Sequence, residues 1–248
     1  MVKRIQFIFL LLIGLLLPLN ITALSGDEIL KRAHLFGEAP NIYMELTMDI
    51  SLDNGSKERG IELYLHRDGG NSKLLLQVVE PVFLRNMKFL QYQDKDGSSR
   101  QWMKTSRGVR RIAGSGGNEP IFGSNFTADD FRSTKRAHYT VTAQNDGSFE
   151  GTSCYVLTLK PKESSSEYNK ELLYIEKDTF LIIKTEYYKN QEKVREYRLI
   201  EQQDLKGTRY PQQCVMENLS DGTSTTLIFN TITEKNFIPA RIFNRGNL

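Results

Sequence analysis

Asn41-Ile42-Tyr43-Met44-Glu45-Leu46-Thr47-Met48-Asp49-Ile50-Ser51-Leu52 alternates apolar and polar side chains along its whole length, and Asp53-Asn54-Gly55 then offers a hairpin turn. Ile42, Met44, Leu46, Met48, Ile50 and Leu52 share one face, and Tyr43, Glu45, Thr47 and Asp49 share the other. The run 59–66 answers it, with Ile61, Leu63 and Leu65 on its apolar face. A period of two places one face of a strand pair against a core and leaves the other to water. The chain is therefore built on antiparallel sheet.

The same pattern recurs downstream. Strands are expected at 72–80, 86–93, 99–104, 139–143, 153–160, 170–176, 181–189, 193–205, 213–219 and 223–233. Turn signals separate them, among them Asp68-Gly69-Gly70, Asp146-Gly147, Lys206-Gly207 and Asp221-Gly222. Upstream, Ser25-Gly26-Asp27-Glu28 reads as a capping box, and Ile29, Leu30, Ala33 and Phe36 recur at helical spacing before Gly37. That is an amphipathic helix of about three turns. One interruption, at about 107–137, breaks the meander: Ala113-Gly114-Ser115-Gly116-Gly117-Asn118 cannot be a regular strand, and Thr127-Ala128-Asp129-Asp130-Phe131 reads as a capped short helix. The expected fold class is mainly β with a few helices, a large curved antiparallel sheet or barrel.

Residues 1–23 stand apart. Lys3 and Arg4 form a basic head, residues 5–17 are apolar but for Gln6 and Gly14, and Pro18 and Asn20 end the run before the small residues Ala23 and Ser25. This is the layout of a secretory signal peptide cleaved after Ala23, and no cysteine marks a lipid-anchoring site there. The remainder, 24–248, reads as a single domain with the insertion inside it. Exported, it belongs to an oxidising compartment, so Cys154 and Cys214 could form a disulfide if their strands are near neighbours; otherwise both are small buried hydrophobes.

Composition removes several functions. Without Lys3 and Arg4, the 33 basic residues outnumber the 30 acidic ones by one, too small a surplus for a nucleic-acid binder. A mean hydropathy of −0.43 excludes a polytopic membrane protein. His34, His66 and His138 are scattered and the two cysteines distant, which argues against a metal centre, and neither a G-x-S-x-G elbow nor a phosphate loop occurs. No pair of carboxylates recommends itself for acid–base work. Nothing points to an enzyme or a cofactor. Two features suggest binding instead. Lys104, Arg107, Arg110 and Arg111 form a basic group that suits anionic lipid head groups or a membrane partner, or is an ordinary solvated turn. The methionines of the first strand fill irregular space and tolerate changing contacts, as the wall of an apolar cavity would.

The middle of the chain carries a resemblance. Residues 81–90, Gln101-Trp102-Met103-Lys104 with Arg110-Arg111-Ile112, and Ile121-Phe122-Gly123-Ser124-Asn125-Phe126-Thr127-Ala128-Asp129-Asp130-Phe131 occur in an order that resembles the outer-membrane lipoprotein-sorting proteins of diderm bacteria, relatives of the LolA and LolB carriers. Cys154-Tyr155-Val156-Leu157, Met216-Glu217-Asn218-Leu219 and the ending Ile238-Pro239-Ala240-Arg241-Ile242-Phe243 agree, so the likeness spans nearly all of 24–248. Arg85-Asn86, Met103 and Asn169 depart from the family pattern. The resemblance implies an incomplete, unclosed β-barrel covered by helices, whose apolar interior takes acyl chains across the periplasm, in some members beside an inner-membrane transporter of the resistance-nodulation-division type.

The expected function is thus a periplasmic, monomeric, non-enzymatic carrier of lipid or lipoprotein acyl chains between membranes. The alternative is a periplasmic sensor or adaptor that binds a protein partner and whose interior is a filled core. Met44, Leu46, Met48 and Ile50, with Leu63 and Leu65 opposite, are the expected cavity wall. Ile121, Phe122 and Phe126 of the insertion are expected either to move as a lid or rim or to plug the barrel end, since such apolar side chains would be costly to leave exposed.

Overall fold

A computed structural model describes residues 24–112, 117–132, 138–162 and 167–248. Residues 1–23, where the signal peptide is expected, and 113–116 of the glycine-rich stretch lie outside the described residues. One helix, α1 (Gly26–Arg32), precedes thirteen strands: β1 (Asn41–Leu52), β2 (Gly55–Asp68), β3 (Asn71–Glu80), β4 (Lys88–Gln93), β5 (Ser99–Thr105), β6 (Gly108–Ile112), β7 (Tyr139–Phe149), β8 (Thr152–Pro161), β9 (Lys170–Glu176), β10 (Ile182–Lys189), β11 (Glu192–Leu205), β12 (Thr208–Asn218) and β13 (Ser224–Glu234). They form one antiparallel sheet in the order β6-β5-β4-β3-β2-β1-β13-β12-β11-β10-β9-β8-β7. Strands consecutive in the chain are neighbours in the sheet except β6 and β7, and β1 pairs with β13 to join the two halves of the meander. The sheet ends at β6 and β7 and does not close into a barrel.

The opening hairpin pairs Met44 with Leu63 and Leu46 with Ile61, so the apolar positions of both strands meet on one face. Met44, Leu46, Met48, Ile50, Leu63 and Leu65 are all buried in the inner core, together with Phe89, Leu173, Ile175 and Phe229. On the outer face, Leu75, Leu90 and Trp102 make a second cluster under Ile238 and Phe243 of the C-terminal segment, where Tyr92 Oη donates to the Phe243 carbonyl.

Four local expectations are corrected. The helix stops at Arg32, one residue before its Ala33 cap, because the backbone at His34 leaves it to pair with Leu181: His34 N donates to Phe180 O and Ile182 N to His34 O. The turn expected at Asp146-Gly147 lies at Glu150-Gly151, both at positive φ, and Gly147 stays in the ladder opposite Cys154. Gly108–Ile112 is not part of an interruption but the edge strand β6, paired with β5 from Thr105↔Gly108 to Gln101↔Ile112. Residues 127–131 form a tight turn rather than a helix. There Asp130 accepts from the Thr127 amide and hydroxyl, and the backbone closes in three-residue steps, Asp130 N to Thr127 O and Arg132 N to Asp129 O.

The disulfide is a further correction. Cys154 in β8 and Cys214 in β12 are free buried thiols with β9, β10 and β11 between them. Burial pushes the Cys214 thiol up to about 12.

Candidate ligand-binding interior

Between β6 and β7, the described residues 117–132 lie against the inner face of the sheet. Ile121, Phe122, Phe126, Ala128 and Phe131 are buried there. Phe131 stacks near Phe36 with ring centroids 6.1 Å apart and meets Phe89 and Phe126 at 6.0 Å each. Phe126 sets its edge to Tyr197 at 6.4 Å. The aromatic segment therefore fills space that the strands alone would leave open. Its tip is a tight turn in which Ile121 N donates to Phe126 O at 2.8 Å and Phe122 adopts a φ of 55°, a left-handed conformation unusual for a bulky residue.

Hydrogen bonds tie this segment to strands on both halves of the sheet. From one half, Arg59 Nε of β2 donates to Phe122 O at 2.9 Å, Gln91 Nε2 of β4 to Phe131 O at 2.8 Å, and Gln101 Nε2 of β5 to Ala128 O at 2.8 Å. From the other, Thr225 Oγ1 of β13 accepts from Asn125 N at 2.9 Å and donates to Asn125 Oδ1 at 2.8 Å. The strongest tie is ionic. Arg195 of β11 and Asp130, with side chains 6% and 5% exposed, form a two-pronged pair, and Tyr187 Oη of β10 donates to Asp130 Oδ1 at 2.8 Å. The Asp130 charge holds the Arg195 guanidinium above its ordinary range against the opposing effect of burial. Burial first, then the Asp130 charge, drives the Tyr187 hydroxyl well above its ordinary value, so it stays protonated and donates.

The space left inside is small. The main cavity, about 50 Å³, lies between α1, the start of β10 and the Phe126–Phe131 stretch, and is mostly apolar: Leu30, Ala33, Phe36, Leu65, Leu74 and Leu173 line it, with His34, Arg67 and the Asp130 turn at its polar side. A second void of about 10 Å³ lies between Leu46, Met48, Leu63 and Phe131. On this measure 50 Å³ is room for roughly four water molecules. Outside the main cavity an open polar cleft of about 800 Å³ runs between α1 and the β2–β3 and β4–β5 turns, with Lys31, Lys95 and Lys162 on its walls. Leu30 faces the cavity and Lys31 the cleft, so α1 is the wall between them.

Each expected site residue can now be placed. Leu65 lines the main cavity, Leu46, Met48 and Leu63 line the smaller void, and Met44 and Ile50 line neither, although both are on the inner face. Ile121, Phe122 and Phe126 are buried. The basic group divides: Arg110 pairs with Glu119 of the plugging segment, while Arg107 and Arg111 are exposed and Lys104 half-buried. Asp130, Arg195, Tyr187, Gln91 and Gln101 are the residues that sequence reasoning missed. Arg195 shares a strand face with Tyr197 and Leu199, and Gln91 shares one with Phe89. A polar residue on an otherwise apolar face is the signal that a buried partner awaits it. Among the described residues no group of three or more His, Cys, Asp or Glu side chains could hold a metal ion, and no helix is long and apolar enough to cross a membrane.

A family model described as "Uncharacterized protein" matches residues 70–248. The chain belongs to that family. No curated protein matches it. Solved structures resemble it closely in fold. An outer-membrane lipoprotein-sorting protein domain from Vibrio parahaemolyticus superimposes with a TM-score of 0.78 at 21% identity, over 89% of this chain and 94% of that one. A DUF1329 family protein from Desulfovibrio piger gives 0.75 at 20% identity, over 85% and 92%. A LolA superfamily protein from Nitrosomonas europaea gives 0.67 at 19%, over 91% and 100%. At these identities the likeness establishes the fold: the family member described here has the unclosed LolA-like sheet that the sequence resemblance implied.

Proposed function

We propose that this protein is a non-catalytic carrier of acyl chains in the periplasm, with residues 1–23 as its export signal and 24–248 as a single monomeric carrier domain. The observation that carries the reading is the plugged interior. An apolar face broad enough for a ligand is covered not by strands or by a second sheet but by the short helix α1 and one irregular aromatic segment, the segment held through hydrogen bonds and ion pairs to Arg195 and Arg110. Such a segment can leave as a unit and take its polar partners' water back, whereas interdigitated strands cannot. The present form is the closed one, and an acyl chain occupies the space that Phe126 and Phe131 vacate. A chain of ~16 carbons left in water would cost on the order of 13 kcal/mol at ~0.8 kcal/mol per CH₂, which is the load a carrier has to cover. In this reading the carrier works between membranes as an accessory to an inner-membrane transporter of the resistance-nodulation-division type. The fold shared with a lipoprotein-sorting domain and a LolA superfamily protein supports it.

The filled interior favours one other reading, a sensor or adaptor that binds a protein partner on its surface. A fluorescent fatty-acid probe separates the two. Met48 is 1% exposed on the inner face and Thr47 points outward. Met48→Glu places a charge in the apolar interior and should weaken probe binding about tenfold or more relative to Thr47→Glu. Both variants are first shown to be folded by circular dichroism. Failure of the unaltered protein to take up the probe would leave the adaptor.

A further inference from the structure

Val82 and Phe83 are 66% and 83% exposed, side by side on the 3-10 turn Val82–Leu84 between β3 and β4. The turn is held in shape. Leu84 N donates to Pro81 O at 2.9 Å, Met87 N to Leu84 O at 2.8 Å, and Arg85 Nε reaches back to Val79 O at 2.8 Å. A fixed turn that keeps two large apolar side chains in water, when the outer cluster at Leu90 and Trp102 lies nearby, calls for a partner that covers them.

Topology brings a second feature to the same end of the sheet. Lys88 opens β4 opposite Lys104 of β5, and the β5–β6 turn follows directly at Thr105↔Gly108. Residues 80–88 and 104–111 therefore share one corner, and they carry Arg85, Lys88, Lys104, Arg107, Arg110 and Arg111 against the single acid Glu80. Of these cations Arg110 is taken by Glu119, and the Lys88 ammonium donates to the Asn247 carbonyl of the C-terminal segment at 3.0 Å. Burial, and after it the charge of Lys104, holds the Lys88 ammonium below the ordinary lysine range, so two like charges crowd each other beside the apolar turn. Val109, 46% exposed, pairs with Lys104 and adds to the apolar part. Other acids of this end include exposed Glu58 of β2, just beyond the Gly60↔Glu80 pair, with Asp49 of β1 opposite it; Asp53 and Asp221 sit on the β1–β2 and β12–β13 turns, away from the β6 edge.

An apolar tip ringed by unneutralised cations fits a surface that is anionic outside and hydrocarbon beneath. We infer that this corner is a docking site for anionic phospholipid bilayers, in which Val82 and Phe83 enter between the head groups while Lys104, Arg107 and Arg111 engage the phosphates. The tip of the plugging segment lies at the same end, where Arg59 and Thr225 hold Phe122 and Asn125. Docking thus sets the membrane against the plugged end of the sheet. The site does not depend on what the interior holds, since an adaptor could dock in the same way.

Vesicle flotation tests it, using phosphatidylcholine alone and phosphatidylcholine with about one part in three phosphatidylglycerol. The protein should float with the anionic vesicles and not with the neutral ones, and added salt should weaken the association. Phe83→Asp, and separately the Lys104→Glu/Arg107→Glu pair, should each reduce binding about tenfold or more. Phe237→Asp is the control, because Phe237 is 71% exposed at the opposite end of the sheet; it should float as the unaltered protein does. The four positions are exposed or half-buried, and unchanged circular dichroism establishes that each variant is folded. Absence of flotation, equal flotation on neutral vesicles, or wild-type binding by either the Phe83 or the Lys104/Arg107 variant overturns the assignment, the first leaving the patch to a protein partner. Uptake of a fatty-acid probe, measured on the same variants, reports separately on the carrier reading.

Discussion

Asp130 accepts from Thr127, Tyr187 and Arg195 at once, so its carboxylate is buried with its hydrogen-bonding capacity used. Two buried charges are not a net gain over a well-packed apolar pair, but removing one strands the other. Asp130→Asn should therefore lower unfolding stability by about 3–5 kcal/mol, read by urea denaturation. A loss below about 1 kcal/mol, the scale of an exposed pair, would show that Arg195 finds water or another acceptor. His34 gives a second residue-scale test. Burial chiefly, and the neighbouring Arg67 charge, lower its pKa from 6.5 to about 4, although the bond between Nε2 and Thr179 O works the other way. The folded state accepts only the neutral ring, while the unfolded chain takes a proton near 6.5. The contribution is thus fully present above pH 6.5 and is lost as pH falls toward 4, amounting to about 3 kcal/mol across that window. His34→Gln should flatten this part of the stability–pH curve; an unchanged slope would place the acid sensitivity elsewhere.

At the scale of elements, the hairpin of β1 and β2 was readable because alternation over a dozen residues leaves one possible face for Met44 and Leu63. Short or interrupted alternation was not. β6 has five residues, four of them exposed and two of those arginines, as suits an edge strand, and nothing in such a run distinguishes it from loop. Asp146-Gly147 resembles a hairpin turn, yet Gly147 takes its place in the ladder because Val156 packs where a side chain would stand: a Cβ there would lie 2.8 Å from Val156 Cγ2. The plugging segment was legible in its apolar residues and illegible in its anchors, since Arg195 is 65 positions from Asp130. The closed form predicts strong hydrogen-exchange protection of the Ile121 and Ser124 amides, which donate to Phe126 O and Ile121 O. Added lipid should reduce that protection as the segment withdraws. Protection that stays high in lipid-bound protein would make the segment a permanent part of the core and would move any ligand elsewhere.

For the whole molecule, periodicity implied one large antiparallel sheet, and the likeness to lipoprotein-sorting proteins implied that it stays open. The structure joins the two halves through β1 and β13 and leaves β6 and β7 as edges. Cavity size could not be read from the chain, because it depends on how far one irregular segment enters the interior. The cover also differs from the expected one: among the described residues the seven-residue helix α1 shares the role with residues 117–132. Both proposals for the molecule rest on asymmetry between its ends, a cavity beside α1 and an apolar, basic corner at the β3–β4 turn. The central claim is that the apolar interior takes an acyl chain. Native mass spectrometry of gently purified protein, before and after incubation with a phospholipid, tests it most directly. The account predicts a discrete one-to-one adduct of lipid mass that Met48→Glu abolishes and Thr47→Glu retains. Protein that remains at its bare mass under conditions that preserve the fold, or an adduct indifferent to Met48→Glu, would contradict it.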